Sequence, residues 1–282
     1  MKKVTAEMVK ELRMRTGVSM GKCKEALEQS DCDMENAIDF LRKAGMASAV
    51  KKEGREANEG LIGFGESDKA FAIIEINSET DFVAQNEKFK QFIKDICSEA
   101  SEMKASTVEE LLNLKYSKDP SITIDQHRAL TIQELGENIQ IKRMLIIPKE
   151  EDLSVGLYSH MGGKIVAATL LKGAKGQENI AREISMHIAA ESPEYLHSDE
   201  IPEDVKSREK DVAKAQMEGK PANMIEKIIE GKMKAFYDQV CLVNQKFIKD
   251  SSLTVADVVE KEAKSCGKPL TIQSFIRWKV GG

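Results

Sequence analysis

The sequence predicts an α+β protein with a duplicated core, and three patterns carry that prediction. Two stretches share one order of elements: a glycine-led strand, a turn, a strongly apolar strand, a loop, a helix, a second helix and a last strand. Residues 1–45 hold three short amphipathic segments of helical period. Residues 202–238 hold two more around a Gly-Lys-Pro turn, inside the second copy.

The elements follow in order. Thr5 is placed to cap a first helix with Met8, Val9 and Leu12 on one face, ended by Thr16-Gly17. A second helix runs from about Ser19 to Gln29 and buries Cys23, Ala26 and Leu27. Asp31 or Asp33 caps a third, which carries Ala37, Ile38 and Leu41 and is expected to stop at Gly45. Three helices in so short a span make a small bundle of the kind that serves as a binding module. Residues 46–58, polar and basic with Gly54, read as a linker that is helical at first.

The first core copy opens with Gly60-Leu61-Ile62-Gly63-Phe64 and continues with the apolar strand Ala70–Ile76. A helix follows with Phe89, Phe92, Ile93 and Ile96 on one face, then a helix over Ile124–Leu135 and a strand from Ile139 to Met144. The second copy matches it with Gly156–His160, Lys164–Leu171, a helix bearing Ile180, Ile184 and Ile188, a helix over Thr254–Lys264 and a strand from Ile272 to Trp278. Its insertion reads as a helical hairpin. Residues 202–218 carry Val205, Val212 and Ala215; Gly219-Lys220-Pro221 turns; residues 222–238 carry Ile225, Ile228, Ile229 and Phe236. The expected divisions are a three-helix module at 1–45, a linker at 46–58 and core subdomain N at 59–150. Core subdomain C covers 151–201 and 231–282, around the inserted antiparallel hairpin at 202–230.

Composition narrows the function. The chain has 282 residues, 41% apolar and 32% charged, which fits about two soluble globular domains. A net charge of −5 lacks the basic footprint of a general nucleic-acid binder, so no direct nucleic-acid partner is expected. Met1-Lys2-Lys3-Val4-Thr5 leads into a polar helical pattern without an apolar leader, and no run reaches the length of a membrane span. Cys23, Cys32, Cys97, Cys241 and Cys266 are scattered, with no C-x-x-C pair. They read as reduced thiols of a cytoplasmic protein, with neither metal nor cofactor implied.

Covalent catalysis has no residues to stand on. His127, His160, His187 and His197 fall in no triad or H-x-x-x-H spacing, and Gly162-Gly163-Lys164 is too short for a phosphate loop. Two other stretches draw attention. In Glu75-Ile76-Asn77-Ser78-Glu79-Thr80-Asp81-Phe82-Val83-Ala84 a buried strand gives way to a helix. The residues leave two placements open for Phe82. It folds back as a staple on a helix capped by Thr80 or Asp81, or it points outward beside an acid as a protein-binding anchor. In Leu12-Arg13-Met14-Arg15-Thr16-Gly17-Val18-Ser19-Met20-Gly21, Met20 belongs either to the small core or, with Arg13, to a corner offered to a partner.

These two stretches resemble the two signatures of the bacterial elongation factor Ts family. The first is similar to its L-R-x-x-T-G-x-[GS] corner followed by C-K-x-A-L, here Cys23-Lys24-Glu25-Ala26-Leu27; the second contains T-D-F-V intact as Thr80-Asp81-Phe82-Val83. The resemblance covers essentially the whole chain in the same order, to the final Phe275-Ile276-Arg277 strand. It implies a UBA-like N-terminal module and a guanine nucleotide exchange factor, not an enzyme, acting on elongation factor Tu in its GDP-bound and nucleotide-free forms. It implies that Asp81 and Phe82 disturb the partner's magnesium site, with Thr80 and Val83 in the same element. Arg13 and Met20 would grip near the base, and His160 would touch another face or else serve as a plain strand-turn histidine. Self-association of the chain is also compatible with it. Gly21 stands where some members carry a second Met, so that contact is expected to be weaker. The sequence ends at Gly281-Gly282, and contacts of the C-terminal helical module of longer members are expected to be missing.

Two other function classes compete. One is an adaptor that binds an unrelated protein or peptide through residues 1–45. The other is a ribosome- or RNA-associated protein using Lys51, Lys52 and Arg55.

Overall fold

A computed structural model describes residues 3–215 and 222–282. Three helices come first: α1 (Ala6–Thr16), α2 (Met20–Gln29) and α3 (Met34–Lys52). Thr5 caps α1 by accepting the Met8 N–H at 3.3 Å, and Gly17 ends it at φ +70°, a left-handed conformation that suits glycine. Asp33, not Asp31, caps α3 through the Asn36 N–H. Leu12, Val18, Cys23, Ala26, Leu27 and Leu41 fill the space between the three.

The first core copy comprises β1 (Glu59–Glu66), β2 (Ala70–Ser78), α4 (Asp81–Ala84), α5 (Glu87–Ser101), α6 (Val108–Asn113), β3 (Lys115–Tyr116), β4 (Asp119–Thr123), α7 (Ile124–Leu135) and β5 (Ile139–Pro148). The second comprises β6 (Leu153–His160), β7 (Ile165–Lys172), α8 (Glu178–Glu191), the helices α9 (Glu203–Ala215) and α10 (Ala222–Val240), β8 (Lys246–Phe247), β9 (Asp250–Thr254), α11 (Val255–Cys266) and β10 (Thr271–Lys279). The sheets have equivalent orders, β1-β2-β5 and β6-β7-β10, with the apolar strand central in each. In the first, Leu61 pairs with Ile76 and Ile74 with Met144.

The duplication includes a short ribbon that was not among the expected elements. Lys115-Tyr116-Ser117-Lys118-Asp119-Pro120-Ser121-Ile122-Thr123 and Lys246-Phe247-Ile248-Lys249-Asp250-Ser251-Ser252-Leu253-Thr254 share five of nine residues. Each forms a two-stranded ribbon. In both, the Asp accepts the N–H of the Ser two residues on at 3.1 Å, and the closing Thr caps the next helix in a capping box.

The chain forms two compact units. One is Met1–Lys149 with Gly162–Lys164 and Lys279–Gly282; the other is Glu150–Met161 with Ile165–Trp278. In the first, Phe89, Phe92 and Ile96 from α5 pack under β2, as their spacing predicts. In the second, Ile184 and Ile188 of α8 are fully buried under β6 and β7, while Ile180 is half-buried.

Two expectations are corrected. α3 does not stop at Gly45; it continues unbroken to Lys52, through the part of the linker expected to be helical. Residues 46–52 include two alanines and no helix breaker, and Gly45 serves close approach rather than termination. A side chain there would meet Gln133 Oε1 at 3.2 Å and the Ala129 carbonyl at 3.5 Å, both on α7. Ala49 completes the contact by entering the core, and Arg42 bonds Ser121 at 2.8 Å and Asp119 at 3.3 Å. The second correction concerns α9, whose buried apolar residue is Ala213; Val212 and Ala215 are exposed. Ala213 and Met233 face a groove shared by α9 and α10, and Ile201, Val240 and Cys241 bury the foot of the hairpin. The expected Gly219-Lys220-Pro221 turn lies outside the described residues.

Candidate partner-binding site

Thr80, Asp81, Phe82 and Val83 form one local unit. Strand β2 ends at Ser78, and Thr80 then takes an extended conformation as the N-cap of α4. Its hydroxyl accepts the Val83 N–H at 3.4 Å. In a single turn each residue advances by about 100°, so the four residues cannot share a face. Val83 and Ala84 face inward and join the core; Asp81 and Phe82 face outward. Phe82 is 86% exposed. The staple is excluded by position as well. A staple pairs the residue before the cap with the fourth helical residue, here Glu79 and Ala84, whereas Phe82 is the second.

Residues 137–138 brace this turn, and sequence reasoning did not find them. Thr80 donates its N–H to Glu137 Oε2 at 3.0 Å and its hydroxyl to Glu137 Oε1 at 2.6 Å. Glu79 Oε1 accepts the Asn138 N–H at 2.6 Å. The one sequence signal was Leu135-Gly136-Glu137-Asn138: a glycine at φ +84° that ends α7, followed at once by a carboxylate and an amide.

Arg13 and Met20 flank the Gly17 turn, on the last turn of α1 and the first residue of α2. Arg13 is exposed and Met20 is 50% exposed, so Met20 does not belong to the small core. Met14, which sequence reasoning passed over, is 79% exposed beside them. The corner abuts α7: Lys22 Nζ donates to the Gln133 carbonyl at 3.5 Å, and a side chain at Gly17 would meet Glu134 Oε1 at 2.8 Å. Lys52 Nζ donates to the Ile132 carbonyl at 3.5 Å. Both lysines thus lie at the C-terminal end of α7, where cations are favoured.

His160 ends β6 in the other unit. It is exposed, its ring centroid lies 6.1 Å from that of Tyr158, and its Nδ1 is 3.4 Å from the Tyr158 hydroxyl. Met161, Gly162 and Gly163 then turn the chain with φ of +50°, +65° and +104°. Gly162-Gly163-Lys164 therefore lies between paired strands.

Two of the other histidines serve the interior. Burial of His187 lowers its pKa; its Nδ1 accepts the Ile248 N–H at 3.3 Å, so its Nε2–H donates to Gln245 Oε1 at 2.9 Å. His127 stacks on Tyr116 with ring centroids 4.3 Å apart, and its burial likewise lowers its pKa. The five cysteines are free thiols, and burial pushes Cys97 up to about 12. Among the described residues no group of three or more His, Cys, Asp or Glu is placed to hold a metal, and no helix is long and apolar enough to cross a membrane.

The family model described as Elongation factor TS matches residues 79–282. The chain is 54% identical over 278 residues to a protein named elongation factor Ts from Protochlamydia amoebophila, covering 99% of each. It is 44% identical over 275 residues to the elongation factor Ts of Chlamydia muridarum, covering 98% of each. It is 43% identical over 281 residues to that of Chlamydia caviae, covering 100% of each. The outward Phe82 of an intact T-D-F-V element, the exposed Arg13–Met20 corner and these full-length matches agree: the chain belongs to the elongation factor Ts family.

Proposed function

We propose that this chain is a guanine nucleotide exchange factor that promotes GDP release from elongation factor Tu during translation elongation in the cytoplasm. It acts by binding, without covalent chemistry and without a cofactor of its own. The observation that carries the proposal is Phe82, 86% exposed on a turn whose other face is buried. An exposed aromatic on a held backbone is a low-entropy anchor for an apolar slot.

In this mechanism Phe82 enters a slot beside the partner's magnesium site, and Asp81 contacts the neighbouring helix. Thr80 and Val83 hold the pair in place. The ion bridges protein and phosphates, so its displacement loosens the diphosphate. The UBA-like N-terminal module grips the same domain near the base through Arg13 and Met20. His160, next to the exposed Met161, touches another face.

Fluorescent GDP release from elongation factor Tu tests the proposal. Acceleration by catalytic amounts of this chain supports it. An unchanged rate rejects it and favours an adaptor role for residues 1–45, while salt-sensitive RNA binding would favour the Lys51, Lys52 and Arg55 alternative.

A further inference from the structure

Phe82 sits on a four-residue helix, too short to be stable by itself. Its position is set by whatever holds each end. The C-terminal end is held by burial of Val83 and Ala84, and Asn86 starts α5 close behind by capping it. The N-terminal end is held by hydrogen bonds from a distant part of the chain. Both oxygens of the Glu137 carboxylate are engaged by Thr80, one by the N–H and one by the hydroxyl. That hydroxyl also accepts from Val83, so Glu137 grips the cap itself. Short bonds to a carboxylate are among the stronger hydrogen bonds a loop can make.

The grip extends to the segment that follows α3. Asn138, whose N–H is held by Glu79, directs its side-chain Nδ2 to the Arg55 carbonyl at 2.8 Å and the Glu53 carbonyl at 3.4 Å. Gln140 Nε2 donates to the same Glu53 carbonyl at 3.3 Å, and Arg55 reaches Glu79 at 3.4 Å. Residues 53–55, just beyond α3, are therefore tied through 137–140 to the cap of the Phe82 turn. Nothing in this knot touches a reacting atom; its effect is geometric.

We propose that Glu137 is a positioning residue for Phe82, fixing the cap of its helical turn, and that with Asn138 it couples the end of α3 to that turn. The proposal rests on Phe82 being the group that acts on the partner. An anchor misplaced by about an ångström loses much of its effect on the step it serves. Glu137 should therefore matter through Phe82 and in no other way.

The test measures fluorescent GDP release from elongation factor Tu, in millimolar magnesium, for the full chain. Its variants are Glu137→Ala, Glu137→Gln, Phe82→Ala and each Glu137 substitution combined with Phe82→Ala. Glu137→Ala is expected to slow release on the order of tenfold, as for loss of hydrogen bonds to a charged group. Glu137→Gln, which keeps one acceptor oxygen, should fall between. In the Phe82→Ala background neither Glu137 change should cost anything further, because the two act as one unit. Equal losses in both backgrounds, or release at the wild-type rate by Glu137→Ala, overturn the proposal. Circular dichroism checks each variant; if Glu137→Ala fails to fold, the near-isosteric Glu137→Gln carries the same comparison. A wild-type chain that fails to accelerate release overturns the exchange function and this role together. Normal acceleration by wild type, loss in Phe82→Ala and none in Glu137→Ala overturns this role alone.

Discussion

Burying an aromatic ring such as that of Phe82 contributes about 1.5–3 kcal/mol, and here the fold forgoes it. The adjacent Val83 takes the core position instead. Composition and spacing do not decide between neighbours: either apolar residue satisfies the pattern, and one turn of helix is too short to show a period. Thr80 as a cap was readable because Ser and Thr caps act locally; the direction of Phe82 was not, because it depends on where α4 meets the core. Met20 posed the same problem at the start of α2, and it is half exposed. The structure makes a contrast between the two neighbours. Phe82→Ala should change unfolding stability by less than about 0.5 kcal/mol, as expected of an exposed residue. Val83→Ala should cost about 1–3 kcal/mol through lost burial and a residual cavity. Urea denaturation of the two variants measures both. A larger loss for Phe82→Ala would place the ring in its own core and remove it as an anchor.

At the scale of elements, long amphipathic segments were read with fidelity and short or context-dependent ones were not. α5 was readable from Phe89, Phe92, Ile93 and Ile96, which repeat at helical spacing along 15 residues. The ribbons at Lys115–Thr123 and Lys246–Thr254 escaped because strands of two and five residues carry no periodicity. Their shared Asp-x-Ser turn and capping Thr were visible only as a repeat. Gly45 misled in the opposite sense: a glycine after an apolar face reads as a stop, yet here it admits α7. That has a consequence for dissection. Deleting residues 1–45 removes Arg42 from Asp119 and Ser121 and leaves residues 46–52 as a stump too short to hold a helix alone. The remaining chain should melt several degrees below the full-length protein, at about 2–4 °C per kcal/mol lost, and its affinity for elongation factor Tu should fall. Thermal unfolding followed by circular dichroism checks the first point. An unchanged melting temperature would mean that α3 beyond Gly45 contributes nothing to the core.

For the molecule as a whole, the duplication was readable in order and became definite in topology, since the two sheets share one strand sequence around an apolar centre. Equivalent copies need not do equivalent work. The first carries the T-D-F-V turn after its central strand; at the corresponding place in the second, β7 is followed by Gly173-Ala174-Lys175-Gly176, without an aromatic. Linkage constrains what any such factor can do: if it weakens the partner's hold on GDP, GDP must weaken its own binding by the same factor. It lowers a barrier and leaves direction to nucleotide supply.

The central claim is that Phe82 acts by displacing the partner's magnesium, and comparing GDP release with and without that ion tests it most directly. Truncating a buried interface anchor to Ala typically costs on the order of 2 kcal/mol or more, roughly thirtyfold. Phe82→Ala should therefore release GDP far more slowly than wild type in millimolar magnesium. In excess chelator the gap should narrow, because the ion is already gone, and the acceleration that persists in both proteins should come from contacts near the base. A gap of the same size with and without magnesium would contradict the account and leave Phe82 as a binding anchor alone.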